Sequence, residues 1–308
     1  MNEEEKNSAK LLIRDILTSV IIVVIILGGL YLYTGLWPPM VVIESKSMSH
    51  GDGNPPDSQI GVIDTGDLVL VKKVNDRHEI ITYVEGKKTG YMAYGDYGDV
   101  IIYRKNNMRD TPVIHRAVMY IEYNATSGNW DIPDIGVRNV THYNLTDYGY
   151  NKDTITVWFD KLQFQASDGE KHGGFITMGD YNAAHANSDM NAYDQALGGL
   201  VDANGRRVEP VETSWIVGVA RGEVPWFGII KLSTGPHPEP FPENSVTYLI
   251  VSLILIFTVP FAIEFTVHLI NKKKGSKKGS NANSEANSEM DKTDSRHNRK
   301  KDRRKSKR

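Results

Sequence analysis

Two uncharged apolar runs stand near the ends of the chain and frame a middle of different texture. No charged side chain occurs between residues 16 and 43, and the run 16–37 (ILTSVIIVVIILGGLYLYTGLW) has 22 residues. As a helix it would be about 33 Å long at about 1.5 Å per residue, which matches a bilayer core about 30 Å thick. A cleaved secretory signal has a shorter apolar region of about 7–15 residues followed by a small-residue cleavage site. Tyr31-Leu32-Tyr33 through Trp37-Pro38-Pro39 offers no such site, so the run is expected to remain as an anchor. The second run, 246–270, carries Pro260 in its middle and Glu264 near its end. Proline is tolerated in a span where neighbours satisfy the freed carbonyl, so a second membrane helix is expected.

Between the runs helical periodicity is scarce. Short segments rich in β-branched residues, each bounded by Gly, Asp, Asn or Pro, predict strands at 60–63, 68–74, 100–104, 113–122, 154–159, 175–178 and 215–221. The polar, aromatic-spotted stretch 124–151 reads as an excursion from the sheet. No internal repeat is evident. About 200 residues with this many short strands predict one mainly β, mostly antiparallel domain. The organisation expected is a cytoplasmic N-terminus (1–15), a transmembrane helix (16–37), an extracytoplasmic β domain (38–245), a second transmembrane helix (246–270) and a disordered basic cytoplasmic tail (271–308). The tail is poor in apolar residues and cannot bury a core.

Charge adds an orientation. The whole chain is net −2, but residues 272–308 carry 15 Lys/Arg against 5 Asp/Glu. Lys6, Lys10 and Arg14 precede the first run and five lysines between 272 and 278 follow the second, whereas Lys46 and Lys231 stand almost alone on the other sides. Basic residues near spans mark the cytoplasmic side, so both termini are expected inside and 38–245 outside. Asn124-Ala-Thr126, Asn139-Val-Thr141 and Asn144-Leu-Thr146 are glycosylation acceptors usable only on an external surface. The absence of cysteine excludes a disulfide framework, a thiolate metal site and a cysteine nucleophile.

Candidate chemistry begins about ten residues past the first run, at Glu44-Ser45-Lys46-Ser47-Met48-Ser49-His50. Further along come GDLVLVKKV (66–74), GDVIIYR (98–104), VIHRAV (113–118), FITMGD (175–180) and YDQ (193–195). In that order, the segments resemble the boxes of type I signal peptidases, in the archaeal and endoplasmic-reticulum branch, from the first run to about residue 228. The resemblance implies a signal-peptidase-like β domain between two transmembrane helices, Ser47 as nucleophile, Ser45 with the Ser47 N–H as oxyanion donors, and His115 as base. Asp180 matches the family's Gly-Asp box. The second family aspartate is Asp194 or Asp189, with Asp194 favoured; Asp180 reads equally as structural and as catalytic. The resemblance implies neither cofactor nor metal. Its partners would be preprotein signal peptides and the lipid bilayer, with the translocation machinery a further candidate and no specific nucleic acid.

The residue types suit that chemistry independently of the resemblance. A serine hydroxyl needs a base to take its proton, an imidazole can accept that proton and return it to the leaving amine, and an aspartate fixes the ring and stabilises its cation. Each oxyanion donor contributes about 3–4 kcal/mol. Lys46 stands where the family commonly has glycine, and Ser49-His50 where proline usually follows. His50 is a competing base or an ordinary exposed residue. His78, His142, His172, His185 and His237 read as surface residues, none paired at zinc-ligand spacing, and Asp99 and Arg116 as fold-holding charges. Met40, Val41, Val42, Met48, Trp226 and Phe227 form either a lipid-dipping surface or core. The basic tail suits an anionic membrane face. An inactive membrane-anchored β module acting as receptor or assembly subunit is the alternative function, and a self-cleaving protease a weaker third.

Overall fold

The computed structural model describes residues 3–164, 170–185, 194–196, 199–235 and 240–270. Helix α1 (Glu3–Thr34) begins before the charge-free run, because the Glu- and Lys-rich segment ahead of it is itself a good helix former. It stops three residues before the expected end, where Gly35 at φ 66° caps it with its N–H on Tyr31 O (2.8 Å). The most apolar window of α1 has none of its residues buried in protein. Helix α5 (Glu243–Ile270) includes Pro260. Both are long and apolar enough to cross a membrane. The chain divides after Leu249, and Ile250 onward forms a second unit; the β domain belongs wholly to the first.

The strands are β1 (Met40–Val42), β2 (Leu68–Lys72), β3 (Met92–Ala93), β4 (Asp96–Tyr97), β5 (Val100–Tyr103), β6 (Val113–Asn124), β7 (Asn129–Ile132), β8 (Val137–Val140), β9 (His142–Tyr148), β10 (Asp153–Trp158), β11 (Gly174–Met178) and β12 (Ile216–Val224). Between them lie the short helices α2 (Tyr83–Thr89), α3 (Asp180–Ala184) and α4 (Ile229–Leu232). One eight-stranded sheet runs β1-β2-β12-β5-β6-β7-β8, with β11 also on β6, and every pairing in it is antiparallel. The mainly β, antiparallel expectation holds. Six of the seven expected strands are present within a few residues of their expected ends.

The seventh, 60–63, is a turn. Gly61 sits at φ 88° and donates its N–H to Glu223; Ile60 is exposed while Ile63 is buried, so the apolar run marks a turn tucked on one side. The stretch 124–151 is no simple excursion, since β7 continues the sheet on β6 (Tyr123↔Trp130). β9 and β10 form a separate hairpin whose Leu145, Ile155 and Val157 pack with Val118, Ile121 and Trp130. That hairpin covers part of β6, which explains why VIHRAVMYI reads as a continuous run instead of alternating.

Candidate active site

The serine-bearing turn is pinned at both ends by burial. Ile43 (2% exposed) exchanges backbone bonds with Asp67 and Gly66, and Met48 (1% exposed) enters the same apolar cluster. Between them Ser49 N donates to Lys46 O (2.9 Å), leaving Ser47 half-buried at the tip. The Ser47 carbonyl accepts from Tyr181 N in α3 (3.0 Å). Its Oγ lies 3.3 Å from Ser45 Oγ and 3.5 Å from the Ile114 carbonyl.

His115 and Arg116 are successive residues of β6, so their side chains leave opposite faces of the strand. His115 is 2% exposed. Burial holds its imidazole down at about 4, with the charge of Asp180 pulling the other way, so at neutral pH the ring is uncharged. Among the described residues its buried Nδ1 has no hydrogen-bond partner. Its Nε2 faces Gly179, where a Cβ would stand 3.2 Å from Nε2 and would overlap the Ser47 carbonyl oxygen. Serine turn, histidine and Gly179 therefore meet at one point.

Arg116 is fully buried. Its Nε and Nη2 hold both oxygens of Asp180 (2.8 and 2.5 Å), and Nη1 and Nη2 reach the carbonyls of Ala93, Tyr94, Asp96, Tyr97 and Gly98. Burial alone would raise the Asp180 carboxyl, but the guanidinium and the His50 hydrogen bond outweigh it and hold it at about 2. Asp180 Oδ2 also accepts from His50 Nε2 (3.0 Å). Asp194 lies on the other flank of Gly179. It accepts from Gly179 N and Ala196 N (3.0 Å each) and from the Asn182 side chain, and burial pushes its carboxyl up to about 8.

Ser45, Ser47 and His115 line one cavity of about 790 Å³, walled on its apolar side by Met40, Val42, Ile102 and Leu200. Asp180 and Asp194 bracket the same region, but neither bonds the His115 Nδ1; Asp189 lies outside the described residues, as does His237. One residue was misplaced and one was missed. His50, offered as an exposed side chain or rival base, is 9% exposed and locked on Asp180. Asn182 is buried, lines the cavity and bonds Asp194; its place two residues after the Gly-Asp pair was the available signal.

Among the remaining residues, His172 and His185 are half-buried instead of surface-exposed, and the others resolve between the alternatives offered. Met48 is core, while Met40 and Val42 line the cavity. Trp226 donates to Ser58 Oγ (2.9 Å) and meets the Tyr248 ring at a tilt, centroids 5.1 Å apart. His172 is half-buried against Glu209 (2.7 Å), because the loop before β11 folds over Trp215; His78 and His142 are exposed. Asp99 holds Ile81 N, Tyr91 and Arg221, as a fold-holding charge should. Among the described residues no group of His, Asp or Glu is arranged to hold a metal. Comparison with family models, with curated proteins and with solved structures returns no match to the chain.

Proposed function

We propose that this chain is a membrane-anchored serine endopeptidase of the type I signal peptidase kind, removing N-terminal signal peptides from exported preproteins. The observation that carries the reading is the shared cavity of Ser47 and His115, with the histidine kept neutral by burial and so ready to accept a proton. Ser47 follows the end of α1 by 13 residues, which keeps the nucleophile near a membrane face. With both termini cytoplasmic, that is the outer face, where a translocated signal peptide ends.

Backbone geometry supports an extended substrate. Ala117 N donates to Asp99 O (2.9 Å). By the alternation of an antiparallel ladder, Ile114 then turns its N–H and C=O away from β5. β11 ends opposite Arg116, so among the described residues no strand pairs with that edge at Ile114. A peptide strand added there would run past Ser47 Oγ, with alternate side chains entering the cavity.

In the reaction, Ser47 Oγ attacks the scissile carbonyl carbon as its proton passes to His115 Nε2. The oxyanion is held by the Ser47 N–H and the Ser45 hydroxyl. The C–N bond breaks as the imidazolium protonates the departing amine of the mature protein. Water, deprotonated by His115, then hydrolyses the ester and restores Ser47. The Ser47–His115 hydrogen bond is made on substrate binding, since such bonds commonly tighten only in the complex.

The test is cleavage of a preprotein by the intact chain in detergent, beside Ser47→Ala and His115→Ala, with the cut mapped by mass spectrometry. Cleavage after a small residue, lost by about 10³-fold or more in both variants, is the expected result. Two observations among the described residues favour the anchored, inactive β module: His115 Nδ1 has no carboxylate partner, and Ser47 Oγ bonds Ser45 Oγ and the Ile114 carbonyl rather than His115. Folded protein that does not cut would favour that second reading, whereas Ser47→Ala cutting as well as wild type would refute Ser47 as the nucleophile.

A further inference from the structure

We infer that His50 is a positioning residue that fastens the Ser47 turn to the start of α3, an inference that rests on the serine reading above. Two consecutive residues of α3 grip the turn at two points. Tyr181 N holds the Ser47 carbonyl (3.0 Å), and Asp180 Oδ2 holds His50 Nε2 (3.0 Å). The imidazole is boxed in. The Tyr150 ring lies 4.7 Å from it, Gln59 Nε2 donates to the His50 carbonyl (3.1 Å), and a Cβ at Gly95 would stand 2.8 Å from its Cε1. Asp180 cannot follow a moving turn, because Arg116 fixes both of its oxygens from within β6. The path Arg116, Asp180, His50 thus carries the rigidity of the sheet to within three residues of the nucleophile.

The three variants His50→Ala, His50→Asn and His50→Gln separate this role from bulk. The Gln amide nitrogen can occupy the place of Nε2, whereas that of Asn falls near Nδ1. His50→Ala and His50→Asn should lower kcat about 10- to 100-fold with KM nearly unchanged, since about 1 Å of misplacement can cost 10²-fold, and His50→Gln should recover most of it. Hydrogen exchange at amides 46–50 should quicken in Ala and Asn but not in Gln. Wild-type kcat or unchanged exchange in His50→Ala overturns the inference. If the wild type itself cuts nothing, the protease reading fails alone, and exchange still decides whether His50 holds the turn.

A separate observation concerns the three sequons, and from it we propose that Asn139 and Asn144 carry N-linked oligosaccharide while Asn124 does not. Asn139 and Asn144 are exposed, and each has its side-chain oxygen held by a neighbour, Asn129 Nδ2 (2.9 Å) and Thr156 Oγ1 (2.9 Å). In Asn124 the nitrogen itself points to Asp131 (3.5 Å) and the oxygen caps the turn amides of Thr126 and Ser127. The amide nitrogen of Asn139 or Asn144 would displace the phosphate of a lipid-linked oligosaccharide at its anomeric carbon, releasing the lipid phosphate and a proton. Glycopeptide mass spectrometry of the chain purified from the cells that make it should find sugar at 139 and 144 and unmodified Asn124. Unmodified peptides at both positions, or sugar at Asn124, would overturn it.

Discussion

Gly179→Ala tests the meeting of serine turn, histidine and α3 directly. Gly179 has φ −77° and ψ 139°, a backbone any residue adopts, so conformation does not demand a glycine. Close approach does. A Cβ would overlap the Ser47 carbonyl oxygen and stand 3.0 Å from Asn182 Nδ2 and 3.2 Å from His115 Nε2. The Ser47 oxygen is backbone and is held by Tyr181 N (3.0 Å), so relief requires the serine turn to leave α3. Overpacking of this kind costs about 1–3 kcal/mol, and the hydrogen bond given up adds about 1 kcal/mol. The loss in stability should therefore be about 2–4 kcal/mol, read as a lowered Tm in detergent. The turn displaced by about 1 Å should lower preprotein cleavage by about 10²-fold. Gly29→Ala, where a Cβ meets nothing within 4 Å, is the control. A Gly179→Ala protein with wild-type Tm and wild-type kcat would refute the argument, because it would mean the three elements do not constrain one another.

Three further outcomes follow from burial and charge. His115, lowered from 6.5 to about 4 by burial, contributes stability that is present above pH 6.5 and lost as pH falls toward 4. Wild type should thus lose up to about 3 kcal/mol relative to His115→Gln across that window, and a parallel pair of Tm–pH curves would contradict the burial argument. Arg116→Met leaves Asp180 buried without its counter-charge, so it should cost about 3–5 kcal/mol; a Tm near wild type would show that Asp180 simply takes up a proton at little expense. Trp130, 3% exposed, stacked on Phe164 and in tilted contact with Tyr123, should cost about 3–5 kcal/mol as Trp130→Ala, measured by thermal unfolding.

Much of the fold was legible because its signals are local. β-branched runs such as VIIY and FITM sit in strands, and two apolar helices follow from length and charge alone. What failed were places where a tertiary partner overrides local pattern. The apolar run at 60–63 is a turn because Glu223, far along the chain, takes the Gly61 amide. The polar stretch after Asn124 joins the sheet because Trp130 and Ile132 are buried beneath the β9–β10 hairpin. At the site, Ser45, Ser47 and His115 could be named from residue order. The engagement of His50 with Asp180 could not, since it joins residues 130 apart and depends on space left by Gly95.

The two aspartates beside Gly179 divide the work in a way that residue order does not reveal. Asp180, held at about 2, is ionised throughout the working range, and its charge raises the affinity of His115 for a proton. Asp194, whose carboxyl burial pushes up to about 8, is occupied by the backbone N–H groups of Gly179 and Ala196. The countercharge to a catalytic imidazolium would then come from Asp180, acting through space, while Asp194 sets the position of Gly179. The acid limb of kcat/KM reports the pKa of the free base and should lie near 4. Asp180→Asn removes the charge that raises this pKa, so the limb should move to lower pH while kcat falls. Asp194→Asn should leave the limb in place and lower stability by about 1–3 kcal/mol, because an amide can accept from only one of the two backbone N–H groups. Rates are compared below the Tm of the weaker variant, so that folding does not enter. A limb that moves in Asp194→Asn and stays fixed in Asp180→Asn would reverse the assignment and make Asp194 the carboxylate that supports His115.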